Sequence, residues 1–427
     1  MSGHRVVAVV GAAALVLALA VAPSAGAAAP GGLDPSFSGE GQTTTRFGLD
    51  VTVGVVDRQG RRILVAGTSD TPSGQDGAIV RYRANGSRDT SFGRNGRVRL
   101  DFGKRDSIAD LAVLPSGKIL AVGSSRRRFL VVRLTSAGRL DRGFGGGDGI
   151  VRTGFGTPFA SGTQVLLVTR GRFVVAGTTG DPGGTRFALA RYQPNGHLDR
   201  SFSRDGRTTT RFGPADTFSH VVTLLRWTDS SAVVAVGETA NPGSPKGLST
   251  ALASYTRRGR PDPLFGGGDG RTVESIGPYD NVAGAVMQKN SFILVGGHSE
   301  LGSTGWDATL LRFNASGHLD SGWGGGDGFV SHDVGSTLEY WLGMARDRGG
   351  AVLVGQVDGD AAVMRVGASG AVDTSFGAGG YAVTPFPGGD SELHAAVLDS
   401  RHRVVAAGTA PATLVADGFA VERLLAN

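Results

Sequence analysis

The chain has 427 residues, with 71 glycines, 17 prolines, no cysteine and 19% charged residues. The missing cysteines exclude a disulfide framework, a thiolate metal site and a cysteine nucleophile. One glycine in six argues against a helical protein, since glycine inside a helix costs about 1 kcal/mol relative to alanine. The formal charge of +6 is spread thinly, with no like-charge run beyond Arg126, Arg127 and Arg128, so no nucleic-acid groove is expected.

The first residues read as a signal peptide. Arg5 precedes a near-continuous apolar run over 6–22, and Pro23, Ser24, Ala25, Gly26 and Ala27 supply a small-residue A-x-A site. Cleavage is expected after Ala27, leaving 28–427 as one exported domain. No later stretch approaches the ~20 apolar residues of a membrane span. The mature chain is therefore expected to be secreted, to stay out of the membrane and to be a monomer.

From there a single unit repeats. L-D-P-S-F at 33–37 returns at 88–92, 140–144, 198–202, 261–265, 319–323 and 372–376. Its aspartates are Asp34, Asp89, Asp141, Asp199, Asp262, Asp320 and Asp373, spaced 52 to 63 residues apart. Each unit predicts four strands. In the second, 108–114 and 118–124 flank the turn Pro115-Ser116-Gly117, followed by strands at 129–134 and about 149–155. Four short strands in ~50 residues, seven times over, predict an all-β, seven-bladed β-propeller. A right-handed β-helix would use shorter coils and separate the chain ends.

The ends point to closure. Residues 420–427 match 78–85 position by position, and the continuation of that unit lies at the other end, at 31–34. The strand near 41–47 is therefore expected to complete the seventh blade, leaving no open sheet edge.

The L-D-x-S-F-G start, the G-R/K-I-L-V-A-G hairpin and the A-x-x-R-Y-x-x-N-G third strand together resemble the delta-60 repeat family. The resemblance covers essentially the whole mature chain. It implies a bacterial, often secreted, propeller-like protein, and it brings no catalytic residues with it. The fourth unit departs, with Leu264 for the usual serine and Ser254 for the usual arginine.

Residues common to all units are expected to serve the scaffold. Six units place an arginine eight residues before the aspartate, counted across the chain break for Arg423 and Asp34, which predicts a charge-assisted tie within each blade. The aromatic of L-D-x-S-F is expected to pack between blades. Three G-G-G-D-G runs read as wide turns, with calcium at Asp148, Asp269 or Asp327 as the competing reading. No cofactor is expected otherwise.

Function is expected where the units differ, in the loops between second and third strands. The position after the second-strand glycine is Thr68, Ser124, Thr178, Glu238, His298, Gln356 and Thr409. Glu238, His298 and Gln356 break its Ser/Thr rule on consecutive blades, and Trp306 and Asp307 follow in the fifth unit. These five are the candidate binding residues. His220, Glu339, Glu392 and His394 fall near first-strand starts, at the expected channel mouth, where they could hold a metal or exchange protons. No H-E-x-x-H or G-x-S-x-G motif accompanies them. The sequence thus supports an exported propeller that binds a protein, cell-envelope polymer or small ligand through its variable face. A hydrolase or lyase at the channel mouth and a purely structural surface module are the alternatives.

Overall fold

The computed structural model describes residues 29–103, 105–214, 217–227, 231–240, 247–301, 305–336, 338–413 and 416–426. The signal-peptide reading of 1–27 and the run Arg5 to Ala27 that carries it lie outside them. Among the described residues no helix is long and apolar enough to cross a membrane.

The chain folds as seven four-stranded antiparallel sheets. Their inner strands are Val51–Gln59, Asp106–Val113, Phe159–Leu167, Ser219–Arg226, Asp280–Met287, Glu339–Asp347 and Glu392–Leu398. Each touches the next, and the last touches the first, so the blades form a closed ring. We number the blades 1 to 7 from these strands. Blade 7 takes its outer strand from the other end of the chain: Gln42–Thr45 pairs antiparallel with Ala416–Leu424, Gln42 opposite Glu422.

The second and third strands are covered by neighbouring blades on both faces. Leu64, Val65, Ala66, Ile79 and Val80 are all fully buried, which is why these strands read as continuous apolar runs instead of alternating ones. The core is accordingly a set of clusters lying in the seams between blades.

Every inner strand carries a bulge at the same place, as at Val53/Val55 and Trp341/Gly343. The repeated second-strand glycine sits beside it. A Cβ on Gly355 would collide with the Tyr340 carbonyl oxygen, and one on Gly67 with that of Thr52. The glycine is required by close backbone approach, and its φ is ordinary.

Five of the six predicted arginine ties are present as direct bonds from Nε to the aspartate. Arg81 Nε donates to Asp89 at 2.9 Å, Arg191 Nε to Asp199 at 2.9 Å and Arg423 Nε to Asp34 at 2.8 Å. Arg133 with Asp141 and Arg312 with Asp320 repeat the pattern. In blade 6, Arg365 pairs with Asp347 at 3.0 Å and also feels the charge of Asp373. Blade 4 replaces the guanidinium with a relay: Trp227 Nε1 donates to Ser254 Oγ, which donates to Asp262.

The same arginine does two further things. Its guanidinium stacks on the aromatic of its own unit, 4.4 Å from the Phe92 ring for Arg81, and it reaches the following blade by donating to the Ser136 carbonyl at 2.6 Å. The aromatics are buried in the seam, Phe92 beneath Gly138 and Phe144 beneath Gly196 of the next blade's turn. Hydrogen bonds from Ser91 and the arginine charges hold Asp89 below the usual carboxylate range despite burial that pushes it up. Replacing Asp141 with alanine removes the acceptor shared by Arg133 and Lys118. It is expected to cost about 2 kcal/mol, the range for hydrogen bonds to charged groups, read as a lower denaturation midpoint.

The G-G-G-D-G runs form turns. Asp148 Oδ1 accepts from the Ile150 amide at 2.8 Å, Asp269 from Arg271 at 2.9 Å and Asp327 from Phe329 at 3.2 Å, each an Asx turn.

Candidate functional site

Inner-strand starts, second-strand ends and third-strand starts share one end of the ring, because each pairs with the next in antiparallel register. The candidate residues gather there on blades 4 to 7, and they divide into three groups.

The first group joins blades. Glu238 is 1% exposed and opposite His220; its Oε1 accepts from the Val282 amide of blade 5 at 2.6 Å. His220 Nε2 lies 3.5 Å from its other oxygen. His298, also buried, repeats the contact one blade on: its Nδ1 lies 3.2 Å from the Trp341 amide and 3.0 Å from the Trp341 carbonyl oxygen. Burial raises Glu238 to about 7 and lowers His298 to about 4, so His298 is neutral at physiological pH. These two side chains thus face the neighbouring inner strand and are buried, although the sequence offered them as binding residues. Lower in the seams, Asp110 accepts from the Val165 amide at 2.7 Å and Gln164 from that of Leu224, a belt of the same kind.

The second group is aromatic. Tyr279, Trp306 and Tyr340 are half-buried and surround His298: Trp306 lies 5.3 Å from it, Tyr340 5.4 Å, and Tyr279 5.2 Å from Trp306. The trio spans the seam of blades 5 and 6. Gln356 is half-buried across from Tyr340. On the rim, Phe218 and Leu338 are 46% and 53% exposed. Tyr279 lies just before one inner strand and Tyr340 within the next, whereas Trp306 opens a third strand, so no spacing in the sequence joined them.

The third group is ionisable. Glu392 and His394 lie on one inner strand with Oε1 and Nε2 at 2.8 Å, and Thr409 also donates to the Glu392 carboxylate. The hydrogen bond from His394 holds Glu392 below its usual range. Glu339 lies apart from this pair, wholly buried in the seam between blades 5 and 6, where Asp307 and Asp333 join it. The sequence assigned Asp307 to a loop and Glu339 to the channel mouth; folding brings them together. Asp333 was missed, and the signal was its register, the same as that of Asp101 in blade 1.

The opposite end of the ring has a groove lined by Arg200, Arg204, Arg258 and Arg260, built from the repeated turns. It contains no aromatic ring and no acid–base pair.

Three segments, 61–92, 114–144 and 171–202, match a family model described as a beta-propeller domain of unknown function (DUF5122). No curated protein matches the chain in sequence. Among solved structures, a catalytically inactive virginiamycin B lyase from Staphylococcus aureus, with quinupristin, is similar with a TM-score of 0.50 at 10% identity, over 90% of this chain and 99% of that one. A polysaccharide lyase is similar with a TM-score of 0.51 at 8% identity, over 88% and 90%. At such identities the likeness is one of fold.

Proposed function

We propose that the chain is an exported propeller of the delta-60 repeat kind that binds a cell-envelope polymer or another extracytoplasmic partner through the end carrying blades 4 to 6. The observation that supports this is the half-exposed trio Tyr279, Trp306 and Tyr340, held around His298, with Phe218 and Leu338 exposed at the same end of the ring. Rings fixed by packing offer large apolar faces at little entropic cost, the usual material of a binding hot spot. Glu238 and His298 serve this surface by fixing the seams beneath it.

The test is retention of the purified mature chain on cell-wall fractions and immobilised secreted proteins. Trp306→Ala is expected to weaken retention about thirtyfold, the effect of a hot spot worth roughly 2 kcal/mol, with the melting temperature little changed. If nothing is retained and a broad substrate screen shows turnover, the binding reading fails. That outcome would favour a lyase or hydrolase, a reading supported only by the Glu392–His394 pair on the blade 7 inner strand. The two similar structures reported above are lyases, but neither is more than 10% identical to this chain.

A further inference from the structure

Beneath the aromatic trio, three segments converge. Asp307 lies on the third strand Trp306–Phe313, Asp333 just beyond the outer strand Phe329–His332, and Glu339 begins the blade 6 inner strand. One carboxylate oxygen from each lies within 4.8 Å of the other two. Glu339 is 0% exposed and Asp307 8%, while Asp333 opens the cluster to solvent.

The decisive feature is Glu339. Neither of its oxygens has a hydrogen-bond partner; the amides of Val334 and Ala308 lie near, but neither completes an aligned bond. None of the three carboxylates forms an ion pair with a described residue. Burial, then the neighbouring Asp307 and Asp333, pushes Glu339 up to about 8. An arrangement of buried acids with no positive partner is unfavourable as it stands.

The ring contains its own comparison. Asp76, Asp101 and Asp106 form the same cluster at the same register in the seam of blades 1 and 2. There a cation is built in, with Arg99 Nη1 3.0 Å from Asp76, and Asp106 accepts from the Phe102 amide at 2.5 Å. In the seam of blades 4 and 5 the position of Glu339 is Asp280, whose carboxylate accepts from the Ile276 and Gly277 amides at 3.0 and 3.1 Å. Blade geometry therefore does not require three acids, and it satisfies a lone one. Only between blades 5 and 6 is the cluster left without counter-charge among the described residues.

We propose that Asp307, Asp333 and Glu339 form a calcium site that bridges blades 5 and 6. All three donors are carboxylate oxygens, which suits a hard cation and excludes the nitrogen and sulfur preference of zinc. Opposite ligands of an ion held at about 2.4 Å would sit roughly 4.8 Å apart, so three oxygens that all lie within 4.8 Å of one another can share one ion. Water entering past Asp333 completes the shell. Because Asp307 follows Trp306 and Glu339 precedes Tyr340, the ion would fix two of the three rings. The site stands on its own geometry, whether or not that surface binds a partner.

The experiment melts the chelator-treated mature protein with and without millimolar CaCl₂ and records terbium luminescence sensitised by Trp306. Calcium is expected to raise the melting temperature by several degrees, with the dissociation constant of about 0.1–1 mM common in extracellular modules. Asp333→Asn and Glu339→Gln should each abolish the rise and the terbium signal, whereas Asp101→Asn should leave both. If Glu339→Gln does not fold, the exposed Asp333→Asn decides alone. No response in the unmodified protein, a response unchanged in Asp333→Asn, or one lost in Asp101→Asn overturns the proposal.

Discussion

A chain that starts at Val51 is expected to lose more than any point variant. It lacks Gln42–Thr45, the outer strand of blade 7, and so leaves the third strand Ala416–Leu424 as an open edge. It also lacks Phe37, fully buried in the seam with blade 1, whose removal forfeits roughly 3 kcal/mol of burial. Arg423 would lose Asp34 and Ser36 together, and stripping the partner from a buried ion costs about 3–5 kcal/mol. The buried Glu422, already raised to about 7, would lose the Gln42 amide. The loss should exceed about 5 kcal/mol, enough to unfold many domains outright. Size-exclusion chromatography is expected to show association through the bare edge. A synthetic 29–50 peptide should restore the monomer and its melting transition; a truncated chain that melts like the whole one would show that the seventh blade closes without its N-terminal strand.

The second large effect is expected at the bulge glycines. Gly355→Ala places a Cβ against the Tyr340 carbonyl oxygen and the Trp341 Cα. Both belong to backbone held by the sheet, so neither can turn aside as a side chain would. The strain should cost about 3 kcal/mol, the upper part of the range for overpacking. Gly154→Ala is the control, since its nearest neighbour is the Arg128 side chain at 3.8 Å. Denaturant midpoints of the two variants compare them directly. Equal midpoints would mean that the bulge relaxes, and that the glycine recurs for another reason.

These glycines also show how much could be read from the sequence. Repetition within one chain made the blade count, the ring closure and the arginine ties legible, because each depends on residue type at a fixed spacing. The glycine was visible too, but its reason was not, since a bulge leaves no mark in the residues that form it. Polar positions misled for a related reason. Glu238 and His298 occupy a register otherwise held by Ser and Thr, and the sequence offered them as binding residues. The structure aims them at the amides of the next inner strand, a partner about 43 or 44 residues away that no local pattern encodes. The acidic cluster was half legible: Asp307 and Glu339 stood out singly, while their meeting depended on the seam between two blades.

The arginine that stacks on its own aromatic and reaches the next blade's turn carries a thermodynamic consequence. In an open repeat array each unit has neighbours on both sides except at the ends, and unfolding begins by fraying an end unit across a single interface. This ring offers no such end. Opening a blade disrupts the apolar packing in both of its seams and, wherever the arginine reaches forward as Arg81, Arg133, Arg191 and Arg423 do, the clamp as well. Partial unfolding is thereby made nearly as unfavourable as complete unfolding. A chain without a single disulfide thus gains from topology the cooperativity that crosslinks would otherwise confer.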